Sequence, residues 1–389
     1  MRVPRSRRAG GALAAVGLLV SVAACGGGGD GGGSGAGGGS LSDTIKVVSI
    51  NPETGPAAFA GLSAEKGYQL AIKEINEQKF LGEGVTLKLE LRDTKGQIPT
   101  AASELSSVMA DRSVAAAFGS VSSQEAVAQS PLAQQQGMPI IYTQAGSEGV
   151  VIGDYTYRAT PLMRSYYDVL KDYVKENGWK TVGVVYTSTP TLEEVATKSI
   201  PDLGLEVVAS VNTTPTTQDF APAISQVLAA NPDVVSILQV GASNPTAMTQ
   251  LRQAGYDGPV LGNSGASAGN LKPAGEAGAG MVWAIDFHHE QDIPSSQEFV
   301  KLYRDEYNED PLNYAAEAYD AAWFLARAIK EAGSADRAAI KDGMAAVAAK
   351  PFTGALGENL KWVDRTIQVP GAAVEWTGTD DRLLYVGKQ

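Results

Sequence analysis

The sequence predicts an α/β protein of two lobes, each built on a parallel sheet. Three observations carry that prediction. Strand and helix patterns alternate along most of the chain from residue 44 onward. The alternation runs twice, a first series ending near residue 143 and a second opening near residue 162. Many of the strands are short apolar runs bounded by turn residues, the pattern of strands covered on both faces.

The elements follow in order. TIKVVSI (44–50) is the first apolar strand, and Leu62, Tyr68, Ala71, Ile72 and Ile75 then recur at helical spacing. VTLKLELRD (85–93) alternates Val85, Leu87, Leu89 and Leu91 on one face, a strand signal. An alanine-rich helix near 99–111, the strand SVAAAFG, a helix over 123–136 and the strand MPIIYT complete the first series. The second series has a helix near 162–177, TVGVVYT, a helix at 191–200, LEVVASV and a helix at 218–230. DVVSILQV, a helix at 244–254 and GPVLGN close it. MVWAIDF (281–287) is one more strand, followed by helices near 295–308, 313–333 and 335–349 and a tail with strand-like pieces such as PGAAVEW. The late helices have too few strands to stand alone, so they are expected to cover the first lobe and the tail to return to the second.

Ahead of these elements lies a different kind of sequence. Arg2, Arg5, Arg7 and Arg8 precede the apolar run GALAAVGLLVSVAA, which is too short to span a bilayer and reads as a signal-peptide core. Val22-Ala23-Ala24-Cys25 resembles the bacterial lipobox, so Cys25, the only cysteine, is expected to be lipidated after cleavage. The Gly/Ser-rich stretch behind it suits a flexible tether with a reach on the order of 20 Å.

Removing the leader takes four arginines and no acid from 31 basic and 43 acidic side chains, so the formal charge moves from −12 to −16. That balance argues against nucleic acid as a partner. One cysteine leaves no internal disulfide, and 44% hydrophobic residues suffice for a core held by burial.

Motifs for chemistry are scarce. The two histidines, His288 and His289, are adjacent within DFHHEQD and cannot both easily serve as a separate acid and base, which leaves a Ser-His-Asp triad almost no candidates. With Asp286, Glu290 and Asp292 they supply metal-ligand types at no recognised spacing, so a surface turn is the favoured reading over a metal site. No phosphate loop occurs. No cofactor, metal or enzymatic activity is expected. The polar loops after the strands, NPETGPAAFAG, GSVSSQEA, TQAGSEG, TSTPT and GNSGAS, are rich in hydroxyls, glycine and free N–H groups. Loops of this kind at the carboxyl ends of parallel strands suit a small polar or anionic ligand held by hydrogen bonds.

IKVVSINPETGPAAFAG, GYQLAIKEIN, FGSVSSQEAVAQSPLAQQQGMPIIYTQAGS and AAEAYDAAWFLARAI, in this order, resemble the type I periplasmic solute-binding proteins of ABC importers, the Leu/Ile/Val-binding kind. The resemblance covers about residues 44–389 and implies two Rossmann-like lobes that close on a ligand about a three-segment hinge, the closed form docking on a permease. It implies that Ser123, with Ser122 beside it, meets a ligand carboxylate. Ala145 and Ser147, flanking Gly146 in TQAGS, would bind carboxylate and ammonium. Phe59 and Tyr314 would wall the ligand, although Ala60 is the alternative register for the first. Two other roles remain open: the serines as caps of the next helix, and the aromatics as plain core.

Two departures from the family pattern stand out. The second-lobe acid that would pair with an α-ammonium is replaced by about Ser264, and the closing tyrosine by Thr191. Either Glu317, Asp286 or Glu148 supplies the charge, or the ligand lacks an α-ammonium, as aromatic acids, keto acids and amides do.

The expected organisation is a signal peptide over 1–24, lipidated cysteine and tether over 25–43, a first lobe from 44–159 and 286–352, and a second from 160–285 and 353–389. Crossings are expected near Arg158–Thr160, Trp283–Phe287 and Phe352–Gly357. The implied function is capture of a branched-chain amino acid or related carboxylate or amide at the outer face of the cytoplasmic membrane. The implied partners are permease and ATPase subunits, with the protein itself a monomer. A sensor feeding a membrane kinase would look the same in sequence.

Overall fold

The computed structural model describes residues 41–55, 57–267 and 269–388, so the expected leader, Cys25 and nearly all of the tether lie outside the described residues. The first sheet contains β1 (Thr44–Asn51), β2 (Thr86–Asp93), β3 (Val114–Gly119), β4 (Ile140–Tyr142) and β5 (Thr156–Arg158). The second contains β6 (Thr181–Thr187), β7 (Glu206–Thr213), β8 (Val234–Leu238), β9 (Val260–Leu261) and β10 (Met281–Ile285). The tail adds β11 (Phe352–Gly354), β12 (Gly357–Val363), β13 (Thr366–Gln368), β14 (Ala372–Trp376) and β15 (Asp381–Val386).

The strand orders are β11-β12-β13-β5-β4-β3-β1-β2 and β15-β14-β10-β9-β8-β6-β7. Each sheet is therefore parallel through its body and antiparallel at one edge. The β11-β12-β13 meander finishes the first sheet, with β13 parallel to β5, and β14-β15 finishes the second against β10. Burial follows position. VAAAFG of β3, VVSIL of β8 and MVWAI of β10 are buried throughout, whereas the outer strand β7 alternates between exposed and half-buried along most of its length.

One boundary differs from expectation. Residues 353–368, expected in the second lobe, belong to the first sheet, and the third crossing falls between β13 and β14 rather than near Phe352–Gly357. The physical reason is aromatic packing. Phe352 and Trp362 lie against Phe324 of the helix Asn313–Ala332, with Trp362 stacked on it at 4.2 Å, and this holds β11 and β12 on the first lobe.

That helix packs on the helix Ala58–Glu77 so closely that a Cβ at Gly67 would stand 2.1 Å from the Ala315 carbonyl oxygen. Tyr68, from the same turn, stacks on Phe118 of β3 at 4.3 Å. In the second lobe the expected helix at 191–200 runs from Pro190–Glu194 into a π turn, Val195–Ser199. No helix among the described residues is long and apolar enough to cross a membrane.

Candidate functional site

Loops from both lobes meet in direct contact. The TQAGS loop leaves β4 and is pinned from two sides. Arg158, 3% exposed at the end of β5, donates from one guanidinium nitrogen to the carbonyls of Ala145 at 2.9 Å and Ser147 at 2.8 Å. Its other terminal nitrogen donates to Thr366 Oγ1 at 3.1 Å. Burial lowers the Arg158 guanidinium to about 10, so it keeps its charge at neutral pH.

On the opposite side the Gln144 N–H donates to the carboxyl of Glu317, which is wholly buried. Gln144 takes a positive φ of 48° to do so. Asn313 donates to Gln144 Oε1 at 2.7 Å, to Glu317 Oε1 at 3.1 Å and to Asp286 Oδ1 at 3.2 Å. Thr160 donates to Asp286 Oδ2 at 2.7 Å. Burial raises both carboxyls, Glu317 well above its usual range with the Asp286 charge as the second cause, and the two are hydrogen-bonded to each other. Such a pair holds a shared proton.

Gly146 is placed by proximity: a Cβ there would meet Met163 N, on the second lobe, at 3.0 Å. The Ser147 N–H donates to Ser123 Oγ at 3.3 Å, and Ser147 Oγ lies 3.0 Å from Thr191 Oγ1 across the lobes. Neither Ser122 nor Ser123 supplies a side-chain cap to the helix Ser123–Gln136. In the second lobe Thr189 takes the capping role, accepting from Leu192 N–H at 3.3 Å, so the Thr191 hydroxyl is left to face Ser147.

Tyr314 is 3% exposed, and its hydroxyl, raised by burial, has Ser264 of the second lobe as hydrogen-bonding neighbour. Half-buried Phe59 meets Tyr314 edge to face at 5.6 Å, while Ala60 is buried within the helix packing. The structure thus joins Ser123 to Ser147, Ser147 to Thr191, Phe59 to Tyr314 and Tyr314 to Ser264. It places Glu317 behind the TQAGS loop rather than beside these hydroxyls.

The three acids named as partners for an ammonium are otherwise engaged. Glu148 is exposed and paired with Lys198 at 3.2 Å, while Glu317 and Asp286 hold each other. His288 does not lie in the surface turn expected from the sequence; it is buried at 5% exposure and stacks on His289 at 4.3 Å. Among the described residues no group of three His, Cys, Asp or Glu side chains is gathered to hold a metal.

Sequence reasoning missed Arg158, Gln144 and Asn313 as supports of the loop.

A profile of the periplasmic binding protein family matches residues 44–381. The chain is similar to Leu/Ile/Val-binding protein homolog 7 of Brucella abortus, 26% identical over 374 residues that span 89% of this chain and 92% of the relative. It is similar in structure to the branched-chain amino acid transporter substrate binding protein LivJ of Streptococcus pneumoniae, solved in complex with isoleucine. That likeness has 26% identity and a TM-score of 0.78, covering 88% of this chain and 99% of the other. An R. palustris solute binding protein of an ABC transporter, solved with benzoate, shares the fold at 22% identity and a TM-score of 0.78, over 88% of this chain and 96% of its own. With the profile running from β1 into β15, the chain belongs to the periplasmic binding protein family, in its type I form.

Proposed function

We propose that this chain is the extracytoplasmic substrate-binding component of an ABC importer, capturing a small carboxylate-bearing ligand between its lobes. The observation that carries this reading is the Ser147–Thr191 hydroxyl contact at 3.0 Å, made across the lobes by a loop that Arg158 and Glu317 hold rigid. A ligand engaging Ser123 and Ser147 on one lobe and Thr191 and Ser264 on the other stabilises the closed form, because only that form offers both sets of contacts. Neutral donors on a preorganised loop hold a carboxylate without adding a charge of their own. Phe59 and Tyr314 give the apolar wall. The Brucella and Streptococcus relatives support the importer role and a branched-chain or related ligand.

The test is a thermal-shift screen of the chain from residue 41 with L-leucine, L-isoleucine, L-valine, 4-methylpentanoate, 4-methyl-2-oxopentanoate and benzoate. A ligand at a hundred times its dissociation constant adds about 2.7 kcal/mol, a rise of a few degrees for a protein of this size. A transition unmoved by every member of the panel would remove the reading.

Lipidation at Cys25 in the VAAC sequence would hold the protein at the outer face of the membrane, where the tether lets it reach the permease. Fractionation of cells expressing Cys25→Ala tests this: the variant is expected in the soluble fraction, and retention on membranes would refute the anchor.

A further inference from the structure

We propose that closing the lobes takes up one proton, held between Asp286 and Glu317, so that the protein grips its ligand more tightly as pH falls. The inference rests on the importer reading above and adds a proton to the closure that reading describes.

Both carboxyls are buried, Glu317 at 0% exposure and Asp286 at 2%. One side-chain nitrogen, Asn313 Nδ2, donates to Glu317 Oε1 at 3.1 Å and to Asp286 Oδ1 at 3.2 Å, so the two acids stand side by side on a single amide. The other donors are neutral as well: the Gln144 N–H to Glu317, and the Thr160 hydroxyl to Asp286 at 2.7 Å. Among the described residues the groups that act on the two carboxyls include no basic side chain. Two carboxylates this close, out of water and without a cation, do not both ionise; the pair keeps one proton and a single negative charge. The titratable groups that face it are three buried tyrosines. Tyr68 comes from the helix Ala58–Glu77, Tyr314 from the helix that carries Glu317, and Tyr166 from the second lobe. Burial raises all three hydroxyls, so they stay neutral and supply no charge.

The placement of the pair joins its proton to closure. Glu317 belongs to the helix Asn313–Ala332, packed on the first lobe. Asp286 follows β10 on the second crossing, and Thr160 follows β5 on the first. Water is kept out by groups of both lobes: the Tyr166 side chain hydrogen-bonds to Gln144, and Tyr314 has Ser264 as its neighbour. Parting the lobes withdraws Tyr166 and Ser264 and admits water. Each carboxyl then returns toward its ordinary range, where both are ionised at neutral pH. Closing reverses the change and draws the proton from solution. Between the ordinary carboxylate range and the raised range of the closed pair, affinity therefore falls as pH rises, by up to about tenfold per unit. In the competing arrangement Asp286 moves with the first lobe throughout, the pair keeps its proton in both forms, and ligand binding exchanges none.

The experiment is calorimetric titration of the wild type and Glu317→Gln at pH 6, 7 and 8, each in two buffers of different ionisation enthalpy. The probe is the tightest binder among L-leucine, L-isoleucine, L-valine, 4-methylpentanoate, 4-methyl-2-oxopentanoate and benzoate, none of which titrates in this range. The wild type is expected to take up about one proton more per ligand than Glu317→Gln, whose neutral amide has no proton to exchange. Its Kd should rise by up to about tenfold per pH unit while that of the variant stays nearly level. His289 is present in both proteins, so its contribution cancels in the difference. Equal proton counts in the two proteins overturn the inference and leave the importer reading standing. If Glu317→Gln fails to melt cooperatively, the wild type decides alone. A Kd still rising from pH 7 to pH 8, above the ordinary histidine range, supports the inference, and a level Kd there overturns it. If no probe binds at any pH, the importer reading falls and this inference with it.

Discussion

His288 lies under the ring of His289, with the Glu290 N–H donating to its Nδ1 at 3.2 Å. Burial, reinforced by the neighbouring His289, lowers its imidazole to about 4, against the ordinary 6.5. A base whose folded value is depressed holds full stability above pH 6.5 and loses it as pH falls toward 4, because only the unfolded chain takes up the proton. Asp320 has the opposite slope. Burial pushes its carboxyl up to about 7, although the Ala355 and Leu356 N–H groups both donate to it. Its contribution is present below about 4 and is lost as pH rises through 7. His288→Gln removes the first slope and leaves the second. The variant is therefore expected to gain up to about 2 kcal/mol at pH 5 relative to its own change at pH 7.5, read from urea midpoints at both values. A parallel shift at both pH values would refute it. The His288 effect was not legible from DFHHEQD, because burial is a property of the neighbours: the residues facing His288 come from three separate stretches of chain. By contrast Ser123, Ser147 and Thr191 were named through the resemblance, and each lies in a loop or helix start within a few residues of a strand end.

At the scale of elements, the pairing of the helices Ala58–Glu77 and Asn313–Ala332 depends on Gly67. An alanine in a helix normally gains about 1 kcal/mol over glycine. Here the added methyl would stand 2.1 Å from a backbone oxygen of Ala315, closer than any side-chain rotation can relieve. Gly67→Ala is expected to destabilise by about 1–3 kcal/mol, measured as a lowered urea midpoint, and a midpoint at or above the wild type would show the helices free to separate. Most helices and the inner strands were readable in the sequence because periodicity and burial agree there: β3, β8 and β10 are apolar runs between turns. β5 was not, because Thr156–Arg158 is three residues long and ends in a charge whose partners lie in the TQAGS loop and β13. The β11-β12-β13 meander was placed on the wrong lobe for a related reason. Its attachment is decided by Phe324, Phe352 and Trp362, a contact between distant parts of the chain that no local pattern announces.

Across the whole molecule, the buried network of Gln144, Asn313, Glu317, Asp286 and Thr160 ties the ligand-side loop to two of the three crossings. Thr160 lies on the crossing after β5 and Asp286 on the crossing after β10, so the groups that shape the TQAGS loop also lie where the chain passes between the lobes. The second-lobe contacts Thr191 and Ser264 sit on the far side of those crossings. Ligand capture and lobe movement are therefore expected to act on one set of hydrogen bonds. The third crossing has a different consequence, one of order along the chain. Because β13 completes the first sheet before β14 begins, the first sheet is finished by residues that precede the pair covering the β10 edge of the second. MVWAI is apolar throughout, and an uncovered apolar edge is a template for the wrong partner. The hairpin β14-β15 is the clasp that closes that edge.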